Sequence, residues 1–504
     1  MHIPALLAPQ PHISEPELER GLRRLIDEAA WSSAISALTS GVILTAFALY
    51  LGASNLMIGV LASAPFLGQL LQAPAILLVE QLRARKAIAV ISSIIGRVML
   101  ALMALAVFLP QGLAIGVVVV AQFVLCGFGA IGGCAWNAWI RDLAPQERLG
   151  WVFSRRTSWS TGISLVAGLA AALLLDRTPE GSDARAWAFA GLYLLGCAAG
   201  LASAWVVMQL PEPAMAERQD RPNLVRLLRE PLADSNFRRL IHFLAAWQFA
   251  VNLATPFFTV FIVRQLGLDM TLVMVLSVVS QVTNLIAVRG WGALSDRFAH
   301  KSVLAVAAPT YVLCIVGMIG ASQFESARNA AAYLFALHAL MGAAVAGVTL
   351  ATTNIALKLS PKGSATAYVA TSALASSFAA GIAPILGGLF ADFFAAREFE
   401  ILLRWTSPEG VLLLSPLQLS HWDFYFLIAG AIGVYALHRL SLIQEQGQIE
   451  RREMIQQVIG ETRRVARSLG TVSGLRTITE LPGSLLRDAR VRARWRRRQK
   501  LRAT

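Results

Sequence analysis

Charge is scarce in this chain. Only 15% of its 504 residues are Asp, Glu, Lys or Arg, where soluble domains carry about 25%. Hydrophobic residues make up 56%, and the mean hydropathy is +0.59. This excludes a string of water-soluble domains. Cysteine is scarce too: Cys126, Cys134, Cys197 and Cys314 all lie in apolar blocks, without the spacing of a metal site or disulfide framework. They read as small buried thiols. No Gly-x4-Gly-Lys-Ser/Thr loop occurs, so the chain is not expected to power itself with ATP. Neither His-Glu-x-x-His nor Cys-x-x-Cys occurs, so nothing points to an enzyme, a metal or a cofactor. No cleavable signal peptide is expected in the polar residues 1–29.

The hydrophobic residues that are present come in long runs. Apolar spans fall near 30–51, 56–79, 87–109, 112–137, 155–175, 187–210, 239–263, 270–294, 302–322, 329–355, 366–391 and 422–441. A helix needs about 20 such residues to cross the hydrocarbon. Only helices and closed barrels satisfy their backbone in lipid, and these runs are too long for barrel strands. The expected fold is all-α, with about twelve transmembrane helices.

Basic residues set the expected orientation. Arg20, Arg23 and Arg24 precede the first span, Arg83, Arg85 and Lys86 follow the second, and Arg141, Arg148, Arg155 and Arg156 follow the fourth. The alternate connections at Ser54-Asn55 and Pro110-Gln111 carry none. Both termini are therefore expected in the cytoplasm. The net charge of +14 does not signal nucleic acid, because sixteen Lys and Arg against six acids lie from Arg439 onward. That tail, 442–504, is expected to meet anionic lipid at the bilayer surface. The expected parts are an amphipathic segment over 1–29 capped at Ser14, a bundle over 30–210, a linker over 211–238, a second bundle over 239–441, and the tail. The outer loop 393–421 should form a hairpin around Ser407 to Gly410. A monomer is expected.

The two bundles repeat. Glu80 aligns with Asp296, Leu143-Ala144-Pro145 with Leu359-Ser360-Pro361, and Asp176 with Asp392, all 216 residues apart. Parallel repeats of this kind hold a solute site near the midplane, between the halves.

At 292–301 the chain reads Gly-Ala-Leu-Ser-Asp-Arg-Phe-Ala-His-Lys. This resembles the signature loop of the major facilitator superfamily, Gly-x-Leu-Ala-Asp-Arg-x-Gly-Arg-Lys. A degenerate first-half copy runs from Val79 to Lys86, and Asn137 to Pro145 with Arg155-Arg156 looks like the span four–five loop of bacterial members. The resemblance covers roughly residues 30–441. It implies a transporter of the bacterial inner membrane, working by alternating access between two rocking bundles. It also implies a cytoplasmic latch from Glu80, Arg85, Asp296, Arg297 and Lys301. The chain departs from proton-driven drug exporters: span four lacks their arginine and span five their Gly-Pro signature. The spans one, four, seven and ten also lack a central acid.

Polar groups at membrane depth should face a cavity or a neighbouring helix. Gln69 and Gln72 share a face of span two, and Gln281 and Asn284 share one of span eight, at an offset of 212. Trp247 and Asn252 precede Pro256, which should disrupt span seven. His338 is the polar group of span ten. These seven are the candidate solute-binding residues, with interhelical hydrogen bonding as the other use of the amides. Arg97 lies about 16 Å deep in span three. A central arginine costs about 3 kcal/mol to insert, so it should find a structural partner such as a backbone carbonyl, or contact an anionic substrate. Trp136, Trp139, Trp187, Trp291 and Trp422 read as interfacial anchors. The leading expectation is a secondary transporter of a small solute; the other is a transporter-fold sensor or assembly partner without flux.

Overall fold

A computed structural model describes residues 4, 7–11, 13–215, 224–361, 365–407, 410–445 and 454–458; the side chain of Asp296 lies outside this set, as does most of the basic tail. The first half consists of α1 (Glu15–Thr39), α2 (Val42–Tyr50), α3 (Asn55–Gln69), α4 (Gln72–Leu82), α5 (Arg85–Ala106), α6 (Gln111–Leu143), α7 (Gln146–Arg177) and α8 (Asp183–Met208). After α9 (Leu224–Ala233), the second half consists of α10 (Ser235–Val260), α11 (Met270–Arg297), α12 (His300–Gly317), α13 (Ala327–Leu359), α14 (Ala365–Phe394) and α15 (His421–Ser441). Among the described residues, eleven helices or joined helices are long and apolar enough to cross a membrane, and α3 with α4, bent by 40°, makes twelve when the pair is taken as one span. The chain is a multi-pass membrane protein.

Two spans differ from the continuous helices expected. Span one starts well before residue 30: Ser14 donates its N–H and hydroxyl to the Glu17 carboxylate at 3.0 and 2.7 Å, and α1 then runs unbroken to Thr39. The amphipathic segment is thus the first part of α1 and no separate surface helix. The break comes instead at Gly41, whose φ of 58° suits a residue without a Cβ. Span two breaks at Leu70-Leu71, between Gln69 and Gln72.

The hairpin at 393–421 is present and longer than its turn suggested. Strand β1 (Glu398–Ser407) pairs antiparallel with β2 (Gly410–Ser420), Ser407 opposite Gly410, with an irregularity between Ile401 and Leu403. Of the tryptophans, Trp187 is 65% exposed, as an anchor should be, but Trp139, Trp291 and Trp422 are buried. Each of the first two spends its indole N–H inside the protein, Trp139 on the Pro211 carbonyl at 3.0 Å and Trp291 on that of Ala343 at 2.8 Å. Trp422 packs among Phe257, Phe261 and Tyr425.

Within each half, α5 packs on α6 and α8, α1 on α7 and α8, α10 on α14 and α15, and α13 on α11 and α12. The halves meet along α3 with α14, and α7 with α11. The first seam is made close by small residues. A Cβ on Gly388 would collide with the Asn55 carbonyl and lie 2.6 Å from the Leu56 Cα, and one on Gly59 would strike the Pro384 carbonyl. The run Gly381 to Gly388 therefore serves helix approach, as small residues do where lipid offers no hydrophobic drive.

Candidate functional site

Between the halves lies a cavity of about 950 Å³, bounded by α1, α2, α3, α5 and α6 on one side and α10, α11, α12 and α13 on the other. It collects Trp247, Asn252, Gln281 and His338 from the candidate residues, and Arg97 as well. Gln281 lies eleven residues into α11, or about 16 Å along it, so the cavity sits near mid-span. Gln281 is also exposed where it lines the cavity. Gln69, Gln72 and Asn284 are not among its lining residues. The first two hydrogen-bond each other across the α3–α4 break, and Asn284 lies one turn beyond Gln281.

Helix α10 supplies more polar lining residues than any other helix, among them Gln248, Asn252, Thr255 and Thr259. Pro256 has no N–H, so the Asn252 carbonyl one turn earlier loses its helical partner. The Asn252 side chain donates to the Gln248 carbonyl at 2.8 Å, and the Thr255 hydroxyl lies 3.3 Å from that of Tyr311. Trp247 packs against Tyr311 with ring centroids 5.8 Å apart. His338 places Nδ1 2.9 Å from the Leu334 carbonyl of its own helix. The wall also includes Gln248, Tyr311, Ser277 and Gln122, which sequence reasoning missed. Gln122 was detectable as an amide eleven residues into an uncharged span; Ser277 and Tyr311 carry no signal that separates them from packing residues.

Among the described residues, the Arg97 Nε lacks the hydrogen-bond partner expected of this side chain. The arginine stem lies against Gly200, where a Cβ would come within 2.5 Å of the Cδ, and the Nε itself is buried. The Gln122 Oε1 is in the same condition, while its nitrogen reaches only the Cys126 sulfur at 3.4 Å.

At one end of the molecule, two carboxylates tie the halves together. Asp176, in the last turn of α7, accepts from the backbone N–H groups of Met270 and Thr271 at 3.1 and 2.7 Å. Asp392, near the end of α14, accepts from those of Asn55 and Leu56 at 3.1 and 2.9 Å. Each acid thus caps the first turn of a helix in the opposite half, where unpaired N–H groups and the helix dipole favour negative charge.

The other end is braced within each half. Glu212 is fully buried, accepts from the N–H groups of Arg85 and Lys86 at 2.8 and 3.1 Å, and pairs with the Arg85 Nε at 3.3 Å. Arg85 also pairs with Asp142. In the second half Glu445 accepts from the N–H groups of His300 and Lys301 at 3.1 and 2.7 Å and pairs with Lys358 at 2.8 Å. The Lys301 Nζ donates to the carbonyls of Ser441 and Ile443. Arg297 is exposed with its guanidinium over the Phe298 ring, and Glu80 is half-buried.

A two-fold repeated bundle of membrane helices around a central polar cavity is the architecture of a solute transporter. The family model of the Major Facilitator Superfamily matches residues 29–332 and 240–489, and the chain belongs to that family. It is a membrane transporter by family and fold, and no enzyme. No curated protein matches the chain. Among solved structures, the nucleoside transporter NupG is similar at a TM-score of 0.63 and 12% identity, covering 84% of this chain and 98% of that one. A D-xylose-proton symporter is similar at 0.58 and 14%, covering 86% and 98%. A bacterial homolog of the human lysosomal transporter Spinster, inward-facing and unoccupied, is similar at 0.55 and 15%, covering 90% and 96%.

Proposed function

We propose that the chain is a secondary active transporter that carries a small solute through the central cavity by alternating access of its two halves. The observation that carries this reading is the pairing of a central cavity between the halves with carboxylate caps that tie the halves together at one end. Asp176 and Asp392 close the end away from the termini by capping helices across the seam. With the termini in the cytoplasm, as the basic loops direct, this is an inward-facing conformer in a bacterial inner membrane.

Two discrete packings of rigid halves are what alternating access requires. Capping bonds suit such a seal because they are few and directional, and water can replace them when the helices part. We assign the reverse closure to the signature loops, with Glu80, Asp296 and Arg297 meeting across the cytoplasmic end. Arg85 and Lys301 hold the starts of α5 and α12 rigid beneath them. Trp247, Asn252, Gln281 and His338 are the solute contacts we retain from the sequence, joined by Gln248 and Tyr311.

The test is solute uptake into vesicles that contain the purified full-length chain. Asn252→Leu with Gln281→Leu should reduce uptake at least tenfold, while removal of residues 446–504 leaves it intact. No flux in any form, with partner binding lost on removing the tail, would instead identify a transporter-fold sensor.

A further inference from the structure

We infer that the transported solute is a small organic anion, whose carboxylate or phosphate group is held by Arg97 and Gln122 on the first-half wall of the cavity. The inference rests on the transport reading above and deepens it. Among the described lining residues Arg97 is the one Lys, Arg, Asp or Glu. Its Nε is buried and unpartnered, although an arginine fork is built for bidentate contact with planar or tetrahedral anions. The carboxylate whose field it feels, Glu28, is already committed: it pairs with Arg156 at 2.8 Å and accepts from Ser203 at 3.1 Å. Two arginines therefore share one acid, and the cavity side keeps a positive charge.

The remaining wall suits an anion of modest size. Gln122 has an amide whose nitrogen is spent only on a weak sulfur acceptor. The opposite wall, with Trp247, Tyr311 and Asn252, offers apolar and neutral polar surface for the body of the solute. A neutral solute would leave the guanidinium with only its share of the Glu28 charge at membrane depth, a costly arrangement for a buried charge. Packing against Gly200 fixes the stem and leaves the head as the variable element.

Two measurements test this. In the first, vesicles carrying the full-length protein receive a defined mixture of small organic acids, phosphate esters, neutral sugars and amines at neutral pH, and their contents are read by mass spectrometry. Acids or phosphate esters should accumulate. Uptake should fall more than tenfold in Arg97→Gln and severalfold in Gln122→Leu, which covers failure of the first variant to fold, and Arg97→Lys should retain part of it. Accumulation of neutral or cationic solutes that Arg97→Gln leaves unchanged overturns the inference but not transport. No uptake of anything overturns the transport reading itself.

The second measurement needs no substrate. With Cys134, Cys197 and Cys314 changed to Ser, the cavity thiol Cys126, or Cys introduced at Ser277, is titrated with anionic sulfonatoethyl and cationic trimethylammonioethyl methanethiosulfonate. The anionic-to-cationic rate ratio should drop on the order of tenfold in Arg97→Gln and hold in Arg97→Lys. A ratio indifferent to Arg97, or thiols at both positions that never react, overturns the proposal.

Discussion

Acids do two different jobs in this chain, and each can be told from the other by what it holds. Glu212 caps α5 and neutralises Arg85, and both side chains are all but inaccessible. Removing one partner of such a pair strands a charge at a cost of about 3–5 kcal/mol. Glu212→Ala should therefore lower the melting temperature in detergent sharply. Glu445→Ala should lower it less, because its partner Lys358 is 44% exposed and can turn to water. Equal shifts would contradict this ranking. Asp176 and Asp392 act between the halves instead. Exchanging either for Asn keeps an acceptor but loses the charge, worth about 0.5–2 kcal/mol at a helix start. The expected result is a roughly two- to thirtyfold shift toward the conformer open at that end. Nitroxides at Ser54→Cys and Ala395→Cys would report it as a longer distance population. An unchanged distribution would remove these acids from the gate.

At the scale of the element, the close approach of α3 to α14 depends on glycine. Gly388→Ala puts a Cβ 2.6 Å from the Leu56 Cα, a backbone atom that cannot swing aside. The same nitroxide pair should then show a widened seam, while Gly112→Ala, with open space around it, should not. How much of this was legible in the sequence varies by element. Twelve apolar runs and the 216-residue offset were plain, and the offset had already singled out Asp176 and Asp392. What they hold was not legible, because a cap is made to whichever backbone arrives across a seam. The Glu212–Glu445 pair escaped for a different reason: its offset is 233 residues, since the hairpin from Glu398 to Ser420 lengthens the second half before its last span. Gln69 and Gln72 misled because a helical face was assumed through a break that begins at Leu70. Arg97 was read as needing a partner, and the sequence could not say that its Nε would be buried without one.

For the molecule as a whole, the proposed mechanism requires the two halves to rock about the cavity between them. Gly168 on α7 and Met274 on α11 face each other across the second seam, where a Cβ on the glycine would lie 2.5 Å from the methionine Cε. Neither residue caps a helix or lines the cavity. The most direct measurement is uptake of the organic-acid mixture by vesicles holding Gly168→Cys/Met274→Cys protein whose native cysteines are Ser, before and after a short bis-methanethiosulfonate bridge is installed. The account predicts uptake that stops when the bridge forms and returns when a reductant cleaves it. Uptake that continues unchanged through the bridged state would contradict movement of the two halves as the route across the membrane.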